Sequence, residues 1–477
     1  MLVIISDLHL TDGTSGDTMR TGAFRVFASR LRDLAYDASW RDDKRYRPID
    51  EIHLVLLGDI LDVIRSTRWL EQPGTTGMVR PWSDPASPAF VDKIRAITAG
   101  IVQHNAPSLD VLRGLNDGAT ITIPEATDDG RPAHVAWEPE SPGRHPVTVH
   151  IHYLVGNHDW FFHLPGPEYD AIRGTVVEAI GAVTPATTPF PHDPDESAAI
   201  GRIYQSHQVF ARHGDIYDAY NFEGDRNRSS LGDAVVVELV DRFGFDVQAQ
   251  LGGTLPPATL AGLREIDNLR PTAIIPAWID ALLTRTCPDA PLRRRVKDLW
   301  NDLADRFRRL DFVRQHHAGL HLFDRADQLG IGLRISEGVL RGSLTRFYAW
   351  LLAKFAGAEG SYASCAAREP AFTSRAARSI VYGHTHRYEL VPLASTPRVS
   401  GGLLDQVYIN SGTWRPYHEL ARAHPEDQQF VTYQVMTYLA FFKDGERGGR
   451  HFESWSGVLG PEPERIRDAS QLFTRKS

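Results

Sequence analysis

The chain has 477 residues, of which 42% are hydrophobic and 23% are charged, so it can bury a core of ordinary globular size. Its formal net charge of −8 argues against broad, non-specific binding to nucleic acid, which needs a basic surface. A local basic groove is still compatible with this charge. The two cysteines, Cys287 and Cys365, are too few for a disulfide framework or a thiolate metal cluster. Any metal ligands must therefore be oxygen and nitrogen atoms.

The first predicted element is a buried strand over residues 2–5, an apolar run rich in β-branched side chains. A polar signature follows it at once, which leaves no room for a signal peptide. No later segment approaches 18 uncharged apolar residues, the length of a membrane-spanning helix. We therefore expect a cytoplasmic protein without an integral membrane segment.

Similar apolar runs recur along the chain and predict further strands. The spacing of residues 24–36 is that of an amphipathic helix, so the chain is expected to open with a β-α-β unit and to belong to the α/β class. The other predicted strands cover residues 53–57, 147–155, 209–212, 379–382, 404–411 and 430–442.

Two stretches depart from this alternation. Residues 65–144 contain a predicted helical piece (88–115) and then a region rich in proline, glycine and aspartate, typical of a surface loop or hairpin. Residues 221–372 look mostly helical, and one helical face there carries Val296, Leu299, Leu303, Phe307 and Leu310 between arginines. The predicted organisation is a first core part (1–220), a mainly helical insertion that is either a cap or a dimerisation element (221–372), and a closing core part with a C-terminal tail (373–477).

Five polar signatures end the predicted strands. Loops at the C-terminal ends of strands in open α/β sheets converge on a crevice, so their side chains are expected to meet. Their carboxylate, imidazole and amide groups suffice for two adjacent metal ions, which can clamp a phosphate and lower the pKa of a bridging water. The signatures are Asp7-Leu8-His9, Gly58-Asp59-Ile60-Leu61-Asp62, Gly156-Asn157-His158-Asp159, His213-Gly214-Asp215 and Gly383-His384-Thr385-His386.

In this order the signatures resemble those of the calcineurin-like metallophosphoesterases, over roughly residues 1–220 and 373–445. The resemblance implies a four-layer β-sandwich flanked by helices, here with a helical insertion. It also implies the ligands of two divalent metal ions. Asp7, His9 and His386 would bind the first metal, Asn157, His213 and His384 would bind the second, and Asp59 would bridge both.

The same resemblance implies a hydrolase that cleaves a phosphodiester, pyrophosphate or phosphomonoester by attack of a hydroxide bridging the metals. His158 would protonate the leaving group or stabilise the phosphoryl oxygens, and Asp159 would hold the His158 imidazole in the useful tautomer. Asp62 would position a ligand loop. Mixed oxygen and nitrogen ligands suit Mn²⁺, which we favour, as well as Fe and Zn.

The sequence does not identify the substrate, and it leaves open whether the fold is catalytic. The His-Gly-Asp signature followed by a helical insertion also resembles the bacterial UDP-2,3-diacylglucosamine pyrophosphatases, but those enzymes usually have arginine at the position of His158 and are about half as long. A nuclease that acts on nucleic acid and a non-catalytic binding scaffold with this fold are also compatible with the signatures. Arg65, Arg68 and Arg387 follow signature loops and could meet a phosphate, although a solvated loop role is favoured for each. The sequence leaves the oligomeric state, including a homo-oligomer, open.

Overall fold

The structure, a computed structural model, describes residues 1–16, 19–71, 78–134, 142–269, 274–316, 362–398, 401–421, 423 and 427–458. These residues form a mixed α/β fold with two main sheets and two small two-stranded sheets, which confirms the predicted α/β class. The strands are β1 (Leu2–Ile5), β2 (Glu51–Leu57), β3 (Thr122–Pro124), β4 (Arg144–Pro146), β5 (Thr148–Leu154), β6 (Val209–Ala211), β7 (Ser379–Tyr382), β8 (Tyr388–Pro397), β9 (Leu403–Ser411), β10 (Tyr417–Leu420), β11 (Phe430–Tyr433), β12 (Val435–Phe441) and β13 (Phe452–Val458).

Most of the helices lie in the segments that connect these strands. Among the described residues, none of the helices combines the length and the apolar character needed to cross a membrane. The helices are α1 (Thr21–Ala38), α2 (Pro88–His104), α3 (Ala106–Gly114), α4 (Pro167–Ile180), α5 (Ala198–His207), α6 (Leu231–Val235), α7 (Arg242–Leu251), α8 (Pro257–Arg264), α9 (Ile275–Thr286), α10 (Ala290–Arg308), α11 (Asp311–Gln315), α12 (Tyr362–Ala366) and α13 (Pro370–Thr373), and a π-helical turn (Val236–Asp241) joins α6 to α7.

The first main sheet has the strand order β13-β12-β1-β2-β5. Strands β1, β2 and β5 are parallel, and β12 pairs antiparallel with both β1 and β13. Helix α1 connects β1 to β2, which confirms the predicted β-α-β opening. Because the C-terminal ends of parallel strands share one edge, the first three signatures emerge side by side.

The second main sheet has the order β6-β7-β9-β8. Strands β6, β7 and β9 are parallel, so the fourth and fifth signatures also leave from a common edge. Strand β8, antiparallel to β9, was not predicted from the sequence. It contains Pro392 and Pro397, and no position along it is fully buried, so it lacks the apolar run that marks a core strand.

The single strand predicted over residues 430–442 is wrong, because the chain changes partner at Gln434. Strand β11 pairs with β10 in a small separate sheet, whereas β12 joins the first main sheet. Apolar residues run through both strands, so the local sequence does not mark the change of partner. The closing strand predicted over residues 404–411 is confirmed as β9.

Successive buried side chains of β1 and β2 point to opposite faces of the first main sheet and so belong to two different hydrophobic clusters. One hydrophobic cluster combines residues of the first sheet with residues of the second. Side chains at the intervening positions of β1 and β2 belong instead to a second cluster, together with Phe24 and Phe27 of α1. The members of the first cluster include Leu2, Ile4, Val55, Leu57 and Leu154 from the first sheet and Val209, Ala211, Val381 and Ile409 from the second.

The described residues between β6 and β7 are mostly helical and have a hydrophobic cluster of their own. On α10, Val296, Leu303 and Phe307 are buried and Leu299 packs against the same cluster, which confirms that part of the predicted apolar face. Leu310 also packs against this cluster but lies beyond the end of α10. Residues 317–361 of the predicted insertion lie outside the described residues. The division of the chain at residues 220 and 372 stays a prediction.

Candidate metal centre

Residues in three of the five signatures adopt a backbone conformation that is costly for residues other than glycine. Asp7, His9, Asp59, His384 and His386 have φ angles of 52°, 47°, 55°, 70° and 63°. They are half of the ten non-glycine residues with positive φ in the described part of the chain. Each such residue costs about 1–2 kcal/mol, and such strain concentrates at functional sites, where the surroundings enforce it.

Three signature glycines allow the loops to approach one another. A Cβ atom on Gly58 would lie 2.5 Å from His213 Nδ1, and one on Gly383 would lie 2.5 Å from Asp7 Oδ2. A Cβ atom on Gly156 would collide with Asp59 Oδ1. Glycine is therefore needed here for close packing against the candidate ligands.

The candidate ligands of the first metal converge. His9 Nε2 lies 2.8 Å from His386 Nε2, and Asp7 Oδ1 lies 3.8 Å from the former and 3.5 Å from the latter. His9 Nδ1 donates a hydrogen bond of 2.7 Å to Asp62 Oδ2, so the lone pair of its Nε2 points into the cluster. All three ligand residues are buried.

The candidate ligands of the second metal converge in the same way. Asn157 Oδ1 lies 3.2 Å from His213 Nε2 and 2.9 Å from His384 Nδ1. His213 Nδ1 donates to the carbonyl oxygen of Leu57 at 3.0 Å, which leaves Nε2 for the cluster. Oxygen and nitrogen lone pairs at this spacing repel one another, so a proton or a cation must lie between them.

Asp59 stands between the two groups. Its Oδ2 atom lies 3.7 Å from His9 Nε2 and 3.2 Å from His213 Nε2, while Oδ1 accepts a hydrogen bond of 2.8 Å from the backbone N–H of His158. Burial lowers the pKa of His213, but the nearby Asp59 carboxylate outweighs this and raises the pKa to about 10. The centre therefore has the negative potential that retains positive charge.

His158 lies beside this centre and is oriented by Asp62. Its Nδ1 is 2.8 Å from Asp62 Oδ1, and its ring stands edge-on to that of His9 with the centroids 4.9 Å apart. Burial lowers the pKa of His158, but the carboxylates of Asp62 and Asp59 outweigh it and raise the pKa above its usual value. Asp62 thus supports two imidazoles, one with each oxygen.

The expectation that Asp159 orients His158 is wrong. Asp159 instead accepts hydrogen bonds from the backbone N–H groups of Gly156 and Ile60, at 2.5 and 3.0 Å, and from the Tyr153 hydroxyl at 2.7 Å. Burial, with a further contribution from the Asp59 charge, raises the pKa of Asp159 to about 7. Asp159 therefore ties the second and third signature loops together.

The structure also changes the interpretation of Arg65. The solvated role favoured from the sequence is wrong for this residue, which is buried and lies 3.4 Å from Asp62 and 3.1 Å from Asp267 of the helical segment. Arg68 is partly exposed and pairs with Asp12 at 3.0 Å, and Arg387 is exposed and pairs with Glu419.

Sequence reasoning missed two partners of the site. Arg415, in the loop after β9, is buried, and its Nη2 lies 2.9 Å from Asp267 Oδ2. Asp218, five residues after His213, lies 3.0 Å from His384 Nε2. Asp218 follows the fourth signature closely whereas Arg415 follows none of the five, and the sequence indicates no partner for either residue.

Comparison of the sequence with models of known protein families and with curated proteins finds no match. Function is therefore inferred from the geometry of the centre and from the resemblance of its signatures.

Proposed function

We propose that this chain is a dinuclear metal-dependent phosphoesterase of the calcineurin-like type. The observation that carries the proposal is the position of Asp59 Oδ2, which is 3.7 Å from His9 Nε2 of one ligand group and 3.2 Å from His213 Nε2 of the other. A carboxylate shared by two groups of nitrogen and oxygen ligands can hold two cations a few ångströms apart and offset part of their repulsion.

In this proposal Asp59 bridges two ligand sets of three residues each. Two bound cations would supply Lewis-acid chemistry, by neutralising the charge of a phosphate and increasing the acidity of water. The absence of thiolates and the presence of carboxylates favour Mn²⁺, with Fe and Zn as alternatives. The sets are Asp7, His9 and His386 for the first metal and Asn157, His213 and His384 for the second.

The two main sheets fit the inner layers of the four-layer sandwich that we propose. The hydrophobic cluster shared by both sheets supports face-to-face packing. Helix α1 on the outer face of the first sheet, and α12 beside Ile380, Tyr382 and Tyr408 of the second, supply the outer layers.

His158 is the proposed general acid. The Asp62 hydrogen bond occupies its Nδ1, which leaves Nε2 to donate a proton to the departing oxygen. The carboxylates of Asp62 and Asp59 raise the pKa of His158 above its usual value, which favours the protonated imidazole that a general acid needs. Asp62 orients the ring, and Asp159 acts only through the loop backbone.

We further propose that the helical segment caps the centre. Asp267 pairs with Arg65, which follows the second signature, and with Arg415, which follows β9. Glu238 pairs with the buried Arg80. Trp82 of the core stacks on Phe312 at a centroid distance of 4.6 Å. These contacts favour a cap over a dimerisation element, because they direct the segment towards its own chain.

A cap at this position favours a diester or pyrophosphate with a bulky or apolar leaving group, since the cap would cover that group and exclude water. A panel of monoesters, diesters, nucleotides and phospholipids at fixed Mn²⁺ tests this preference. Replacing residues 231–361 with a short Gly-Ser linker, which keeps α12 and α13, should preserve hydrolysis of a small nitrophenyl ester and abolish hydrolysis of the best substrate in the panel. Conversion of a dimer to a monomer with the panel profile unchanged would contradict the cap.

Metal dependence tests the activity itself. A chelator should abolish hydrolysis and Mn²⁺ should restore it, and Asp59→Asn should lower both the metal content and the rate. Asp129→Asn, an exposed change of the same charge, is the matched control. Full activity of the metal-depleted protein, or of Asp59→Asn with two metals still bound, would contradict the proposal.

A further inference from the structure

A short strap after the fourth signature, residues 218–225, contacts candidate ligands of the second metal. Asp218 Oδ2 accepts a hydrogen bond of 3.0 Å from His384 Nε2 and another of 2.8 Å from the Asn221 side chain. Asn221 Oδ1 accepts one of 3.3 Å from Asn157 Nδ2. Two polar residues of the strap thus contact two of the three non-bridging ligands.

These hydrogen bonds decide which atoms face the centre. Donation from His384 Nε2 to Asp218 fixes the tautomer in which Nδ1 has the lone pair, and Nδ1 is the atom 2.9 Å from Asn157 Oδ1. Donation from Asn157 Nδ2 to Asn221 turns the amide so that its oxygen, and not its nitrogen, faces inward. Without these acceptors, either group can present a hydrogen-bond donor to a cation.

We propose that Asp218 and Asn221 are positioning residues for the second metal: they hold His384 Nδ1 and Asn157 Oδ1 towards it. The inference rests on the proposed dinuclear centre. Asp218 is not a ligand in this arrangement, because it contacts the ring nitrogen opposite to the one that faces the centre.

The strap also links the second metal to the helical segment. The backbone N–H of Gly232, in α6, donates to the Tyr220 carbonyl oxygen at 2.7 Å. A Cβ atom on Gly232 would collide with Asn221 Oδ1, so α6 packs directly on the strap. The strap therefore forms a direct contact between the candidate ligands of the second metal and the first helix of the proposed cap.

Calorimetric titration of the metal-free full-length chain with Mn²⁺ tests the inference without relying on catalysis. Wild type should bind two ions. Asp218→Ala and Asn221→Ala should weaken one of the two binding events about 10- to 100-fold, the usual cost of removing a group that orients a metal ligand. The other event should be unchanged. Asp225→Ala, an exposed carboxylate on the same strap, is the matched control and should bind both ions like wild type.

Conservative variants distinguish positioning from simple loop anchoring. Asp218→Asn keeps an acceptor oxygen for His384 Nε2 and should recover most of the lost affinity. A purely structural role would not weaken one binding event alone.

The outcomes separate this inference from the proposed function. If wild type binds no metal, both fail. If wild type binds two ions and both alanine variants do so with unchanged affinity, only the positioning roles of Asp218 and Asn221 are overturned. Equal loss of both events together with a lowered melting temperature in both variants would make the strap a structural anchor and would also overturn the inference.

Discussion

Asp62 offers the most informative substitution, because one carboxylate supports two imidazoles. It accepts hydrogen bonds from His158 Nδ1 at 2.8 Å and from His9 Nδ1 at 2.7 Å. A hydrogen bond to a charged group contributes about 1.5–3 kcal/mol, and a free-energy difference of about 1.4 kcal/mol is a factor of ten. Asp62→Ala should therefore impair each imidazole about 10- to 100-fold and lower kcat/KM on the order of 10²- to 10⁴-fold in all.

The assay is hydrolysis of bis(p-nitrophenyl) phosphate at limiting and at saturating Mn²⁺. Saturating Mn²⁺ should compensate for the weaker metal binding caused by a misoriented His9, so that only the loss caused by a misoriented His158 remains. Asp62→Asn keeps one acceptor oxygen and should fall between wild type and Asp62→Ala. Asp159→Asn, in the adjacent loop, should lower the melting temperature without this dependence on metal concentration. Near wild-type rates for Asp62→Ala at both concentrations, with a large loss in Asp159→Asn, would refute the assignment.

His158→Ala should reduce turnover about 10²- to 10⁴-fold with both metals retained, and the loss should shrink on nitrophenyl esters, which need little protonation; an equal loss on alkyl and nitrophenyl esters would contradict a general acid. Burial lowers the pKa of His207 to about 3, so stability present above about pH 6.5 is lost as the pH falls towards 3, by up to about 1.4 kcal/mol per unit. Melting curves of His207→Gln should show a shallower fall in that window. Asp267→Ala should lower the free energy of unfolding by about 3–5 kcal/mol in urea titrations, because it removes a carboxylate that two buried guanidinium groups share; an unchanged midpoint would contradict the cap contacts.

The parts of the fold set by local pattern could be predicted from the sequence. Apolar runs such as residues 2–5 and 379–382 became buried strands, because a strand covered on both faces tolerates few polar side chains. The convergence of the five signatures followed from the shared direction of parallel strands. Strand β8 and the change of partner at Gln434 depend on contacts with distant residues, and the local pattern does not reveal them.

The candidate ligand residues could be predicted from the sequence, but the hydrogen bonds and ion pairs that orient them could not. Asp62 ends the second signature and Asp159 ends the third. Both are carboxylates, so the sequence alone does not assign either one to His158. The folded geometry does so, because the side chains of the adjacent residues His158 and Asp159 point in different directions, while Asp62 reaches His158 from the loop after the neighbouring strand β2. Arg65 likewise became buried because Asp267, some 200 residues away, supplies its partner.

Anomalous diffraction tests the dinuclear centre most directly. Crystals of the full-length chain grown with Mn²⁺ and measured at the manganese absorption edge should show two peaks a few ångströms apart, with Asp59 between them. One peak should lie near Asp7, His9 and His386, and the other should lie near Asn157. Absence of any peak within reach of Asp59 at saturating Mn²⁺, or a single peak outside both groups, would contradict the account.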